Sequence, residues 1–312
     1  MANYLVTGGA GFIGSHIARR LLDDGHQVVI IDNVTTGQEE NLPQGARFVN
    51  LDISSPEGIQ MIPNEKFDGI LHLAAQSSGE ISHDNPSHDL TTNALGTLLL
   101  LEWCRENNAG HFLYASSMAI YGLTDKVPVQ EDQKLDPYSF YGISKQAAEQ
   151  YVRHYAFLGL DTTILRMFNV YGPGQNLGNM KQGMVSIYVA YIARGESIEV
   201  KGSLDRFRDY VYIDDVADAW IACLENPNCF GNVYNLGSGE KTLVKELLPQ
   251  LISAWGEDPE VYPFEELEGT PGDQFGIYPD ITSLRRDANW EPRVSLIEGL
   301  SRMTAWAKNN PA

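Results

Sequence analysis

The stretch "LVTGGAGFIGSH", Leu5–His16, decides the fold. An apolar run ends in a cluster of glycines, and a helical pattern opens at Phe12. The cluster holds G-x-G-x-x-G as Gly9, Gly11 and Gly14, and G-x-x-G-x-x-G as Gly8, Gly11 and Gly14. Between a strand and a helix, glycines permit a tight turn, close approach of a pyrophosphate to the backbone, and close packing of helix on strand. The helix N-terminus adds unpaired N–H groups that face an anion. Outward from this turn, short apolar runs at Tyr4–Thr7, Val28–Asp32, Arg47–Leu51, Gly69–Leu73, Phe112–Ser116 and Thr162–Phe168 read as strands. Helical patterns at Phe12–Asp24, Leu90–Asn107 and Phe140–Leu158 lie between several of them. Repeated strand–helix units imply an α/β chain with a parallel sheet covered on both faces.

The second strand ends in "IIDN", with Asp32 at its C-terminal end. An acid there accepts hydrogen bonds from a ribose 2′-hydroxyl and repels a 2′-phosphate, so the pattern points to NAD rather than NADP. No arginine directly follows the acid.

Composition excludes other classes. The 312 residues carry 22 Lys and Arg against 41 Asp and Glu, a net charge of −19. Such a surface repels phosphate backbones and anionic membranes, so neither nucleic acid nor membrane is an expected partner. Any anionic ligand needs locally placed positive groups. The N-terminus, "MANYLVTGG", lacks a basic segment followed by a long apolar run, so no signal peptide is expected, and no apolar run reaches the ~18 residues of a span. Cys104, Cys223 and Cys229 form an odd, sparse set without C-x-x-C pairing, which suggests a reducing cytoplasm and no metal site.

"YGISK", Tyr141–Lys145, places a tyrosine and a lysine four residues apart, on one face of a helix. An ammonium beside a phenol favours the phenolate. That pair makes a proton acceptor for an alcohol. Tyr138 is spaced for the same face, but it directly follows Pro137 and precedes the helix. After Phe168 the strand–helix rhythm breaks, and "NVYGPGQNLGNMKQG", Asn169–Gly183, reads as a long loop of functional kind.

These motifs occur in one order with "HLAA" at His72–Ala75, "ASSMAIYG" at Ala115–Gly122, "FNVYGP" at Phe168–Pro173 and "RDYVYIDDVADA" at Arg208–Ala219. Together they resemble the extended short-chain dehydrogenase/reductase family, in its nucleotide-sugar epimerase/dehydratase branch. The likeness runs on to "SLIEGL" at Ser295–Leu300. It implies a Rossmann-type doubly wound parallel sheet over residues 1–168, with 208–236 returning to it. A smaller, mixed C-terminal domain over 169–312 would bind the nucleotide-diphosphate sugar. In this family Tyr141 is the base, Lys145 lowers its pKa and holds the nicotinamide ribose, and Ser117 bridges sugar and tyrosine, with Ser116 as the near alternative. Cofactor contacts implied are Gly8, Gly11, Phe12, Ile13, Gly14, Asp32, Asn33, Asp52, Ile53, Leu73, Ala74, Ala75, Asn93 and Phe168, besides Tyr141 and Lys145. Substrate contacts implied are Asn169, Arg208, Asp273 and Ile277, besides Ser117. Glu199 to Lys201 fall near the nucleotide base. Arg208 is also open to a surface ion pair with Asp209 or Asp205, and Asp214 and Asp215 read as helix-starting acids.

Two departures matter. In "GTPGD", Gly269–Asp273, Thr270 stands where the family usually has arginine, so one diphosphate contact is missing or comes from Arg206 or Lys181. Met118 and Ala119 replace the Asp-Glu pair of the dehydratases, and neither transfers a proton. The implied activity is therefore a 4-epimerase of UDP-glucose type, with dehydratase, decarboxylase or 4-keto reductase chemistry as alternatives. Ile277, smaller than the tyrosine found there in strict hexose epimerases, would admit N-acetyl sugars. The family's dimer is made by two helices from each subunit, and the leucine row "LGTLLLLEWC" and the Phe140–Leu158 pattern predict a homodimer of that kind.

Overall fold

A computed structural model describes residues 1–124, 126–269 and 274–310. Elements run in the order β1 (Asn3–Thr7), α1 (Phe12–Asp23), β2 (Gln27–Asp32), β3 (Arg47–Asn50), α2 (Pro56–Gln60), β4 (Gly69–His72), α3 (Gly79–Asp84), α4 (Pro86–Leu90), α5 (Gly96–Glu106), β5 (His111–Ser117), α6 (Phe140–Phe157) and β6 (Thr162–Met167). The remainder comprises β7 (Asn169–Tyr171), α7 (Met184–Ala193), β8 (Ile198–Lys201), β9 (Phe207–Arg208), β10 (Tyr210–Tyr212), α8 (Ile213–Leu224), β11 (Asn232–Leu236), β12 (Thr242–Leu243), α9 (Val244–Trp255), β13 (Phe264–Leu267), β14 (Gly276–Ile277), α10 (Thr282–Ala288) and α11 (Leu296–Asn309).

Seven strands form one sheet in the order β11-β6-β5-β4-β1-β2-β3, and every pairing is parallel. Consecutive residues of the central strands point to opposite faces, which explains why their sequences are apolar throughout. Val6, Ile30, Leu71, Leu113 and Leu165 pack with Ile17 and Leu21 of α1 and Val216 and Trp220 of α8. Leu5, Val29, Ile70 and Phe112 pack on the other face with Leu100, Leu101 and Cys104 of α5 and Val152 of α6. The strand order reverses between β1 and β4, and a crevice opens there beyond the carboxyl ends of the strands. A separate core joins Val189 of α7, Leu247 and Leu251 of α9, and Leu300 and Met303 of α11.

Two segments differ most from the sequence reading. The predicted strand Thr162–Phe168 stops at Met167, and Asn169–Tyr171 pairs instead with β10 in a second small sheet. The helix predicted from Leu90 begins at Pro86, capped by the Asn85 side chain, and passes through a π turn at Thr91–Leu95. That turn coincides with an inward Asn93, whose side chain bonds four groups across the fold. Such turns are invisible to a 3.6-residue period and are frequent at functional sites.

Candidate active site

One cleft of about 1290 Å³ runs from the glycine turn, past Ser117 and Tyr141, to Arg206 and Arg208. Its first end is shaped by what glycine lacks. Gly8 has a φ of +72°, and a Cβ there would lie 2.6 Å from the Ala74 nitrogen. A Cβ at Gly14 would lie 2.2 Å from the Gly8 carbonyl oxygen. Both contacts are impossible, so the turn tolerates no side chain and keeps its backbone at the cleft surface. Asp32, buried at the end of β2, accepts hydrogen bonds from the Ala10 N–H at 3.0 Å and the Val34 N–H at 2.8 Å. Its carboxylate is thereby fixed where β2 meets the glycine turn. An open helix N-terminus, a glycine cradle and a fixed acid are the donor set that a dinucleotide with an unmodified ribose requires, so the residues present fit NAD. Phe12, Ile13, Asn33, Asp52, Ile53, Leu73, Ala74, Ala75 and Phe168 line the same cleft, as do Gly8, Gly11 and Gly14. Asn93 does not line it. It is buried behind the wall, accepting from the Gln76 N–H and donating to the Gln76 carbonyl, Asp89 and Ser144.

Asp32→Ala should narrow the preference for NAD over NADP, because it removes an acceptor and a repulsive charge together. Titration of both dinucleotides checks this. Wild-type protein that binds NADP more tightly than NAD would contradict it.

The centre of the cleft is assembled by β5 and α6. Ser117 is the last residue of β5, and its hydroxyl accepts from the Ala119 N–H at 3.2 Å. Ser139 caps α6 by accepting from the Gly142 N–H at 3.0 Å. A Cβ at Gly142 would lie 2.7 Å from the Ala119 carbonyl oxygen, so the glycine of "YGISK" lets the helix close onto the turn after Ser117. The Ser117 hydroxyl and the Tyr141 phenol in consequence line the same part of the cleft. Tyr138 is exposed and precedes the cap, as the sequence reading held. Ser116 is also on the wall, and its hydroxyl is buried without a hydrogen-bond partner.

Lys145 is buried, and its ammonium donates to the Ala115 carbonyl at 2.9 Å. Burial lowers its pKa to about 8, against the carboxylates of Asp89 and Glu149, which raise it. Burial pushes the Tyr141 phenol up to about 12, with the Ser117 hydrogen bond opposing and Asp89 adding to the rise. The Lys145 ammonium is turned to a backbone carbonyl.

The far end carries Asn169, whose amide donates to the Asp209 carbonyl at 2.7 Å, and the buried Arg208. The Arg208 guanidinium donates to the carbonyl oxygens of Phe207, Phe275 and Gln274 at 2.9, 3.2 and 2.6 Å. The Asp209 carboxylate accepts from the backbone of Ser238, Gly239 and Glu240, and burial raises its pKa to about 6. Asp214 and Asp215 lie in the first turn of α8, and Asp215 accepts from the Arg293 and Val294 N–H groups. Glu199 and Lys201 line the cleft, and Glu199 accepts from the Tyr191 hydroxyl at 2.8 Å. Thr270 and Asp273 lie outside the described residues. The structure does not bring Ile277 to the wall. It is fully buried with Ile120, Tyr121, Val129 and Phe168, and among the described residues near it Gln274 lines the cleft.

Sequence reasoning missed two buried polar clusters behind the site. One is Gln76, Asp89, Asn93 and Ser144. The other is Glu149, Arg166, Tyr121 and Asn235. Glu149 stands one helical turn beyond Lys145, and a charged residue on the buried stripe of α6 was the available signal.

The model of the NAD dependent epimerase/dehydratase family matches residues 4–237. The UDP-glucose 4-epimerase of Mycolicibacterium smegmatis is 35% identical over 98% of each chain. The crystal structure of the Thermotoga maritima UDP-glucose 4-epimerase with UDP-glucose superposes with a TM-score of 0.93, at 36% identity, over 99% of this chain and 100% of that one. The UDP-N-acetylglucosamine 4-epimerase of Methanobrevibacter ruminantium, in complex with UDP-N-acetylmuramic acid, gives 0.92 at 29% identity over 99% of each chain.

Proposed function

The chain belongs to the NAD dependent epimerase/dehydratase family, and from that premise we propose that it interconverts nucleotide-diphosphate hexoses at C4 through a transient 4-keto sugar. The observation that carries this reading is the meeting of Ser117, Tyr141 and Lys145 at the middle of the cleft, with Met118 and Ala119 beside them where elimination would need acids. In the forward direction Tyr141 takes the proton of the sugar 4-hydroxyl, and Ser117 bridges the two oxygens. When bound, NAD would supply the reversible two-electron oxidation of C4 and, in its oxidised form, positive charge in the cleft. Lys145 keeps an ammonium within the tyrosine's helix turn and offers donors to the cofactor ribose. After the ketone turns its other face, Tyr141 returns the proton to the new 4-hydroxyl.

Residues 1–168 form the NAD-binding unit, to which 208–236 return, and 169–312 form the unit for the nucleotide sugar. Arg208 and Asn169 face the diphosphate. The sugars that best fit are UDP-glucose and UDP-galactose or their N-acetyl analogues. Three buried free thiols suit a reducing cytoplasm. Incubating the protein with UDP-, dTDP-, GDP- and CDP-hexoses and reading products by NMR tests the reading: a C4 epimer supports it, and a deoxy or decarboxylated product overturns it.

The assembly is a homodimer made through α5 and α6. Leu95, next to α5, and Phe140, Ile143, Tyr151 and Phe157 of α6 are exposed apolar side chains, and 140, 143 and 151 share one helical face. Light scattering should give about twice the chain mass. A monomer mass that does not change with concentration would overturn the dimer.

A further inference from the structure

We propose that Arg206 is a second anion-binding residue that holds the diphosphate together with Arg208, an inference that rests on the nucleotide-sugar reading. Arg206 immediately precedes β9, and Arg208 is the second residue of that strand. Both line the cleft, and both are buried, at 7% and 3% exposure. A nucleoside diphosphate carries negative charge on each of its phosphates. A chain of net charge −19 repels such a ligand unless it concentrates cations where the phosphates lie. Guanidinium groups suit this, because their planar fork meets two phosphate oxygens at once.

The backbone is built around the Arg206 side chain. Gly202 has a φ of +87°, and a Cβ there would lie 2.6 Å from Arg206 Nη1 and 2.8 Å from its Cδ. Glycine at 202 thus clears the volume that the arginine fills, in a conformation that other residues rarely adopt. The Lys201 carbonyl accepts from Nη1, which fixes the direction of the guanidinium. The other cations near this end are more exposed than Arg206. Lys181 is half exposed and pairs with Asp84 at 3.0 Å and Glu80 at 3.8 Å. Lys201 is half exposed and lies 3.7 Å from Glu80. Arg206 is desolvated and faces the cleft, where a charge-assisted bond to phosphate is strongest.

Calorimetric titration of the NAD-loaded protein tests this. The ligands are whichever of UDP, dTDP, GDP and CDP the wild type binds best, and its parent nucleoside. Arg206→Gln should weaken the diphosphate roughly 10–100-fold and change nucleoside binding by less than about 3-fold. Arg206→Lys should recover part of the loss, since it restores the charge without the fork. Equal losses for diphosphate and nucleoside would show that Arg206 only props the turn at 201–204, and would overturn the proposal. So would an unchanged affinity for the diphosphate. A wild-type protein that binds none of the four diphosphates would reject the nucleotide-sugar reading itself, and the proposal with it.

Discussion

Tyr141→Phe is expected to lower kcat by about a hundred- to ten-thousand-fold, the range over which a positioned general base contributes, while NAD and nucleotide-sugar binding persist. The change removes one hydroxyl from a side chain that the fold already holds. Ser139 caps α6, Gly142 lets the helix close on the turn after Ser117, and Lys145 is anchored to Ala115. None of these contacts uses the Tyr141 hydroxyl, so the variant should fold and load its cofactor normally. The pH profile gives a second readout. With burial alone, the phenol stands at about 12 and is not a base near neutrality. Oxidised NAD would add positive charge to the cleft that Tyr141 lines, so the acidic limb of kcat/KM should titrate well below 12 in wild type and vanish in Tyr141→Phe. Tyr138→Phe should keep near-normal activity, because Tyr138 is exposed and precedes the helix. Near-normal turnover in Tyr141→Phe, with Tyr138→Phe inactive, would show that the proton passes through the other tyrosine.

The second large effect is on stability. Glu149 is fully buried in α6 and meets Arg166 of β6 through two hydrogen bonds, at 3.0 and 2.9 Å. Arg166 also donates to the Tyr121 hydroxyl at 2.9 Å and to the Glu131 carbonyl at 2.8 Å. Tyr121 in turn donates to Asn235 of β11 at 2.6 Å. This cluster ties the helix that carries Tyr141 and Lys145 to the edge of the sheet. Glu149→Gln leaves the Arg166 charge buried with no carboxylate partner in this pair. Breaking such a pair costs about 3–5 kcal/mol, a large share of the roughly 5–15 kcal/mol that folds a typical domain. Glu149→Leu with Arg166→Met should cost less than either single change, since no buried charge remains. Denaturant unfolding measures all of these. A loss under about 1 kcal/mol in Glu149→Gln would show that the pair does not anchor the catalytic helix.

The dinucleotide half was legible because its signals are local. Glycines at 8, 11 and 14, an acid at 32 and apolar strands of the right length each follow from contacts within one strand–turn–helix unit. "YGISK" was legible as a spacing, yet its glycine gained a reason only when the Ala119 carbonyl was found against it. What the sequence hid depends on long-range pairing. The inward turn of Asn93 needs Gln76 and Ser144, and the partner of Glu149 comes from a strand 17 residues away. Burial of Tyr141 was hidden for a related reason: spacing reports the neighbouring ammonium but not the desolvation that raises the phenol. Ile277 was counted from a turn, while its environment is set by Ile120, Val129 and Phe168 from three other segments.

The central claim is that oxidation and reduction occur at one carbon, with the proton handled by Tyr141. Its most direct test is a nucleotide hexose labelled with deuterium at C4, chosen from the substrates that the NMR panel identifies. The C4 epimer should form with the deuterium retained at C4, and no NADH should accumulate. Loss of the label to solvent, or its appearance at another carbon, would contradict it.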